Sequence, residues 1–212
     1  MQPSRQPSPL SRRRFLAAAS AEFALGGLAL ALALSPGTAE AKLPALPRPL
    51  PPSSEIGSGT FVPAPTGWLQ LVKRIPALDP AGATLCCIDS QPQREAELVR
   101  AQRQVNGTMR FRKETGDLWQ LASMAGDCED FAIRKLVILT RQFGWPRGAL
   151  TLATCKAETG EGHAVLLAHT KRGTYVLDNR RAPVLPWRDL PYSWRAREEP
   201  GAPFSLWRAL AT

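Results

Sequence analysis

The sequence has little histidine, and its cysteines lack metal-type spacing. Two histidines occur in 212 residues, and none of the four cysteines forms a C-x-x-C pair. A zinc site and thioredoxin-type redox chemistry are therefore unsupported. No internal repeat is visible. No basic run is dense enough to mark a nucleic-acid surface, although 27 Lys and Arg against 18 Asp and Glu give a net charge of +9. Charged residues make up 21% and apolar residues 44% of the chain, ordinary globular usage that excludes wholesale disorder, a collagen-like repeat or a coiled coil. The apolar segment Phe23 to Leu34 is 12 residues, short for crossing a bilayer.

That apolar segment follows Arg12-Arg13-Arg14 and ends at Ser35-Pro36-Gly37. Ala39-Glu40-Ala41 then supplies a small-x-small cleavage pattern. The order predicts a cleavable export signal over 1–41, with a permanent anchor as its rival. Ser11 to Leu16 also resembles a twin-arginine signal, which would export the protein already folded. Cleavage near Ala41 would leave 171 residues with 23 basic and 16 acidic side chains. Such a chain can build a real core, and it would be periplasmic or secreted. All four cysteines would meet oxidising conditions. If Cys128 stays reduced, the others allow one disulfide, Cys155 with Cys86 or Cys87.

Residues 42–66 carry seven prolines and read as an extended leader with little core. From 67 to 212 the pattern is that of a domain. Apolar residues at helical spacing predict helices from Trp68 to Ile75 and from Arg94 to about Asn106. Residues 107–126 read as irregular. The strongest helix runs from Asp127 to Phe143, with Ala132, Ile133, Leu136, Val137 and Leu139 on its apolar face and Arg134, Lys135, Arg141 and Gln142 on the other. Gly144 is the expected C-terminal cap. The period then becomes extended over Leu150–Lys156, His163–His169 and Thr174–Asp178. One or two more short strands are expected in the tail from Pro183 to Leu210. Helices first and strands later predict an α+β fold, N-terminal helices packed on a mainly antiparallel sheet.

Three residue types converge on one chemistry. Asp127 as N-cap puts Cys128 in the first helical turn, where the helix dipole favours a thiolate. The acids Asp127, Glu129 and Asp130 oppose this, because negative charge disfavours a thiolate. A small buried cysteine at a helix start is the alternative reading. His163 opens an apolar strand after Gly162, where a cleft could reach it; His169 reads as a core or turn histidine. Asp178 ends the next strand, fifteen residues from His163. An even-numbered turn near Lys171-Arg172-Gly173 would place both on one face of a hairpin, whereas the three-residue turn that Gly173 suits would separate them. Cys128, His163 and Asp178 then have the logic of nucleophile, general base and orienting group.

Val105-Asn106, Asp117-x-Trp119, Gly126-Asp127-Cys128-Glu129-Asp130-Phe131-Ala132, Gly162-His163-Ala164-Val165-Leu166 and Val176-Leu177-Asp178-Asn179 together resemble the bacterial transglutaminase-like cysteine proteinases. Tyr192-Ser193-Trp194 and Leu206-Trp207 fit the same likeness, which spans about Gly67 to the end. It implies a papain-like, transglutaminase-type fold and peptide-bond cleavage by a Cys128–His163–Asp178 triad. Its adhesin-releasing members are calcium-dependent, which implies Asp127, Glu129 and Asp130 as ligands. It also implies a surface adhesin as substrate and a membrane-bound receptor that sequesters the enzyme. The tract Gln120 to Ala125 departs from the family in lacking Thr-Pro, which leaves substrate preference open. The same triad could instead serve a protein-glutamine transamidase or deamidase, or the fold could be a non-catalytic binding module.

Overall fold

The computed structural model describes residues 48–211, so the expected export signal over 1–41 lies outside the described residues. Among the described residues no helix is long and apolar enough to cross a membrane. Three α-helices lie in the first two thirds of the described chain, α1 (Thr66–Arg74), α2 (Pro92–Thr108) and α3 (Cys128–Arg141). The strands are β1 (Gly57–Pro63), the short β2 (Arg110–Phe111) and β3 (Ala125–Gly126), then β4 (Leu150–Lys156), β5 (Gly162–Thr170), β6 (Gly173–Leu177), β7 (Leu185–Pro186), β8 (Ser193–Glu198) and β9 (Leu206–Ala211). Seven strands form one antiparallel sheet in the order β1-β9-β8-β4-β5-β6-β7, with β2 and β3 paired apart. The α+β architecture expected from the sequence is the one observed.

β5 lies deep in the sheet and is buried on both faces. Ala164, Leu166 and Ala168 pack toward the helices with Trp68, Leu98, Phe131 and Ile133. Val165 and Leu167 face a second core with Cys155, Trp187, Tyr192 and Trp194. This alternation is the two-residue period of a strand, and it explains the near-continuous apolar run after His163.

Three expectations need correction. The proline-rich stretch does not stop short of the core, because Gly57–Pro63 is an edge strand paired with β9. Before it, residues 48–56 run as a strap over the β5–β6 turn. Ser53 N–H donates to Arg172 O at 3.2 Å, and the Tyr175 hydroxyl donates to Pro51 O at 2.8 Å. Leu50 and Ile56 are buried, so apolar anchors and hydrogen bonds fix a segment too rich in proline to form helix. The tail holds three strands (β7, β8 and β9) rather than one or two. Finally, Lys135 is not on a solvated face of α3: it is wholly buried.

Candidate active site

α3 begins at Cys128, and Asp127 is its N-cap residue, but the Asp127 side chain makes no capping hydrogen bond. The helix start is instead tied down through Asp130, whose Oδ1 accepts from Gln120 N–H at 2.9 Å. Asp117 explains its own spacing to Trp119. Its Oδ2 accepts from Gly67 N–H at the start of α1 (2.7 Å), and its Oδ1 accepts from the Trp119 indole (2.7 Å). A Cβ at Gly67 would collide with Trp119 and the Asp117 backbone, so glycine permits this close approach. Trp119 is a core residue, edge-on to both Trp68 and Trp207, and it also lines the cleft beside Cys128.

The β5–β6 hairpin settles the turn question. Thr170 pairs with Gly173, so two residues, Lys171 and Arg172, form the turn. Continued beyond the paired residues, this register sets Asp178 opposite Val165 and on the face of His163. The structure brings the two together: His163 Nε2 lies 2.9 Å from Asp178 Oδ1, and both side chains are almost completely buried. Asp178 also receives the Tyr192 hydroxyl on Oδ2 at 2.6 Å and the Arg180 N–H on Oδ1 at 2.9 Å. Burial disfavours its charge, but His163, Tyr192 and Arg180 outweigh burial and hold the carboxyl below its ordinary range. Tyr192 also stands edge-on to the His163 ring, with centroids 5.6 Å apart. From α2, Gln102 and Asn106 donate to the Asp178 carbonyl at 2.8 and 3.0 Å, and both also hold Arg181 O.

Cys128 and His163 line one cleft of about 1030 Å³, with Trp119, Glu129, Asn179 and Arg195 among its walls. The Ala164 N–H, next in chain to His163, favours the Cys128 thiolate. The thiol itself donates to Glu129 Oε2 at 3.1 Å, its one hydrogen bond among the described residues. Burial, then the charge and hydrogen bond of Glu129, push the thiol pKa far up, against the helix dipole. Thus His163 and Asp178 are bonded, whereas Cys128 shares the cleft with His163 and has its sulfur turned to Glu129. His169 is elsewhere, buried between the hydroxyls of Thr151 and Thr174 at 2.9 and 3.3 Å. All four cysteines are unpaired, and Cys155 on β4 lies directly across the ladder from His163 on β5.

Asp127, Glu129 and Asp130 form an acidic corner with Glu114. Burial first, and then their mutual charge, raises all three carboxyls of the 127–130 segment, Glu129 to about 8 and Asp130 to about 7. Asp127 Oδ1 and Asp130 Oδ2 are buried without a hydrogen-bond partner among the described residues. Hard oxygens and concentrated negative charge fit calcium in kind. Their present placement is not a finished site, since no three acidic, histidine or cysteine side chains among the described residues are gathered to hold a metal.

Sequence reasoning missed Tyr192, Gln102 and Glu114 as parts of the site. Tyr192 stood only as part of the Tyr192-Ser193-Trp194 likeness in the tail, and long-range hydrogen bonds from α2 leave no periodic trace in sequence.

Residues 59–212 match the family described as bacterial transglutaminase-like cysteine proteinase BTLCP. A match over most of the chain places the protein in that family of cysteine proteinases. Three solved structures from Legionella pneumophila are similar, each at a TM-score of 0.45. LapG in calcium-bound form is 20% identical, covering 62% of this chain and 72% of its own. LapG itself is 21% identical with the same coverage, and EGTA-treated LapG is 21% identical, covering 62% of this chain and 70% of its own. Among curated proteins none matches.

Proposed function

We propose that the protein is an exported cysteine endopeptidase in which Cys128 is the nucleophile, His163 the general base and Asp178 its orienting group. The observation that carries this reading is that His163, bonded to the buried Asp178 at 2.9 Å, lines one cleft with a cysteine on a helix N-terminus. Because Asp178 takes Nε2, Nδ1 is the ring nitrogen open to the thiol. Cys128 turns from Glu129 to His163 and passes its proton to Nδ1. The sulfur then attacks the peptide carbonyl carbon. The Cys128 N–H, unpaired within the helix as its first residue, donates to the oxyanion. Collapse breaks the C–N bond, and His163 returns the proton to the leaving amine. A water deprotonated by His163 then hydrolyses the thioester.

Asp127, Glu129 and Asp130, with Glu114 beside them, would hold calcium. Bound there, it supplies positive charge next to the thiol. The substrate is a protein, proposed as a surface adhesin in the periplasm or outside the cell, with an inner-membrane receptor sequestering the enzyme. The motif likeness to adhesin-releasing relatives supports this assignment. Comparison of periplasmic and surface proteomes from wild-type and Cys128→Ala cells tests it: one or more proteins lose a cleavage product in the variant. Identical proteomes would overturn it. A labelled amine incorporated without cleavage would assign transamidation instead.

A further inference from the structure

The cleft that holds Cys128 and His163 carries charge of both signs on different elements. Around the start of α3 it is acidic, lined by Glu114, Asp117, Asp127 and Glu129. Four cations line it as well: Lys113, Lys156, Arg180 and Arg195. Acids beside them occupy two of the four. Lys113 lies 4.0 Å from Glu161, and Arg180 lies 3.6 Å from Glu161 and 3.7 Å from Glu158. Lys156 on β4 and Arg195 on β8 are exposed, and their side chains have no acidic partner among the described residues.

A β-bulge puts Arg195 there. Thr154 pairs with Ala196 and Cys155 with Trp194, so Arg195 is an extra residue on β8. Trp194 packs in the core with Cys155 and Tyr192, whereas Ala196 packs against the core under the helices. Residues two apart in a regular strand share a face; the bulge breaks that alternation and re-aims the side chain in the gap. The ladder also sets the distance to the chemistry. Cys155 lies opposite Trp194 on one side and His163 on the other, so only β4 separates the strand of Arg195 from that of the base. Two strand spacings are about 10 Å, the length of about three residues of extended peptide. A guanidinium matches a carboxylate with paired N–H donors, and Lys156 on the neighbouring strand adds a second positive charge.

We infer that Arg195, assisted by Lys156, is a specificity-determining residue: it receives the carboxylate of a substrate Asp or Glu within about three residues of the scissile bond. The acids around the start of α3 repel the same carboxylate from their own wall, so the preference is confined to one side of the cut. This deepens the peptidase reading and rests on it, and the test separates the two. The purified protein, with calcium present, is incubated with a peptide library made by trypsin digestion of a bacterial proteome, and the cut sites are read by mass spectrometry. Asp or Glu is expected to be enriched at one position within about three residues of the bond. Matched Glu and Gln peptides built on the preferred sequence should differ about tenfold in kcat/KM, the scale of one charged hydrogen bond. Arg195→Gln should remove most of that difference without lowering the melting temperature. Arg195→Glu should turn the preference toward Lys or Arg, and Lys156→Gln should reduce it by a smaller factor.

Cutting without acidic enrichment, or enrichment retained in Arg195→Gln, would overturn the proposal. If the wild type cuts no peptide, the peptidase reading fails, and the subsite is judged by binding alone. Two pools of synthetic octapeptides, identical except for Glu in one and Gln in the other, are then compared for protection of Cys128 from iodoacetamide. Stronger protection by the Glu pool, lost in Arg195→Gln, supports the acidic subsite; equal protection by the two pools overturns it.

Discussion

Asp178 sits diagonally across the β5–β6 hairpin from His163 and takes its Nε2 at 2.9 Å, out of reach of solvent. A buried pair of this kind fixes both the tautomer and the tilt of the ring. Asp178→Asn keeps an oxygen acceptor but removes the charge. Positioned acid–base partners contribute about 10²–10⁴-fold in rate, so the variant should slow Cys128 alkylation about 100-fold or more. A rate within twofold of wild type would show that the pair does not govern the thiol.

The acidic corner has the opposite pH signature to Asp178. Glu129 is pushed up to about 8 and Asp130 to about 7, with burial the main cause in both. In the unfolded chain such groups release their protons near pH 4. The folded state therefore holds more protons above that pH, and stability falls as pH rises toward 8. Melting temperature in chelator should decline from about pH 5 to 8, and Glu129→Gln should flatten the decline. Asp178 behaves inversely, because its depressed pKa gives stability that is present above the ordinary carboxylate range and lost only in stronger acid. Glu129→Gln should also speed thiol alkylation above about pH 8, where the Glu129 carboxyl carries its charge, since Glu129 is the largest opposing influence after burial.

Calcium should offset that electrostatic strain. A ligand present at a hundredfold over its Kd stabilises by about 2.7 kcal/mol, readable as a rise in melting temperature. Asp127→Asn and Asp130→Asn should each weaken the response, since each removes a charge whose partner oxygen is buried and unpaired. An unchanged melting curve across the whole range of calcium and chelator concentrations would remove the metal from the description.

The elements that position this site were largely legible, because each rests on local pattern. The helical period before Pro76, the apolar face after Cys128 and the apolar run after His163 all report burial directly, and α1, α3 and β5 lie within a few residues of their expected bounds. Lys135 was not legible: its neighbours Arg134 and Arg141 suggested a polar face, whereas the fold buries it completely. The direction of the Cys128 thiol was equally hidden. Helix dipole and acidic neighbours oppose each other in sequence, and only the fold shows that burial and Glu129 prevail. The proline strap was misjudged because its anchors, Arg172 and Tyr175, lie more than a hundred residues away.

Tyr192 offers a test of the support around Asp178 that leaves every charge in place. Its hydroxyl donates to Oδ2 at 2.6 Å, and its ring backs the imidazole. Tyr192→Phe keeps the ring and orphans a buried carboxylate oxygen. A hydrogen bond to a charged group contributes about 1.5–3 kcal/mol, so urea unfolding should show a loss of that order. Alkylation of Cys128 should slow less than in Asp178→Asn, because the His163 bond remains. A loss below about 0.5 kcal/mol, no more than a surface substitution gives, would mean that solvent replaces the hydroxyl.

Gly173 ties the strap to the hairpin that carries His163 and Asp178. Its φ is +114°, and a Cβ there would meet the Ser53 carbonyl carbon and Ser54 nitrogen at 2.5 Å. Only glycine adopts this backbone readily with another chain segment so near. Gly173→Ala must therefore distort the turn or lift residues 48–56. Lifting would break the Ser53 N–H bond to Arg172 O and expose the backbone around Leu50. Limited proteolysis should cut the variant within 48–56 at protease concentrations that leave the wild type intact, with a lower melting temperature. Equal protection in both would show that the hairpin, not the strap, absorbs the added methyl; the His163–Asp178 pair would then be disturbed, and Cys128 alkylation would slow in its place.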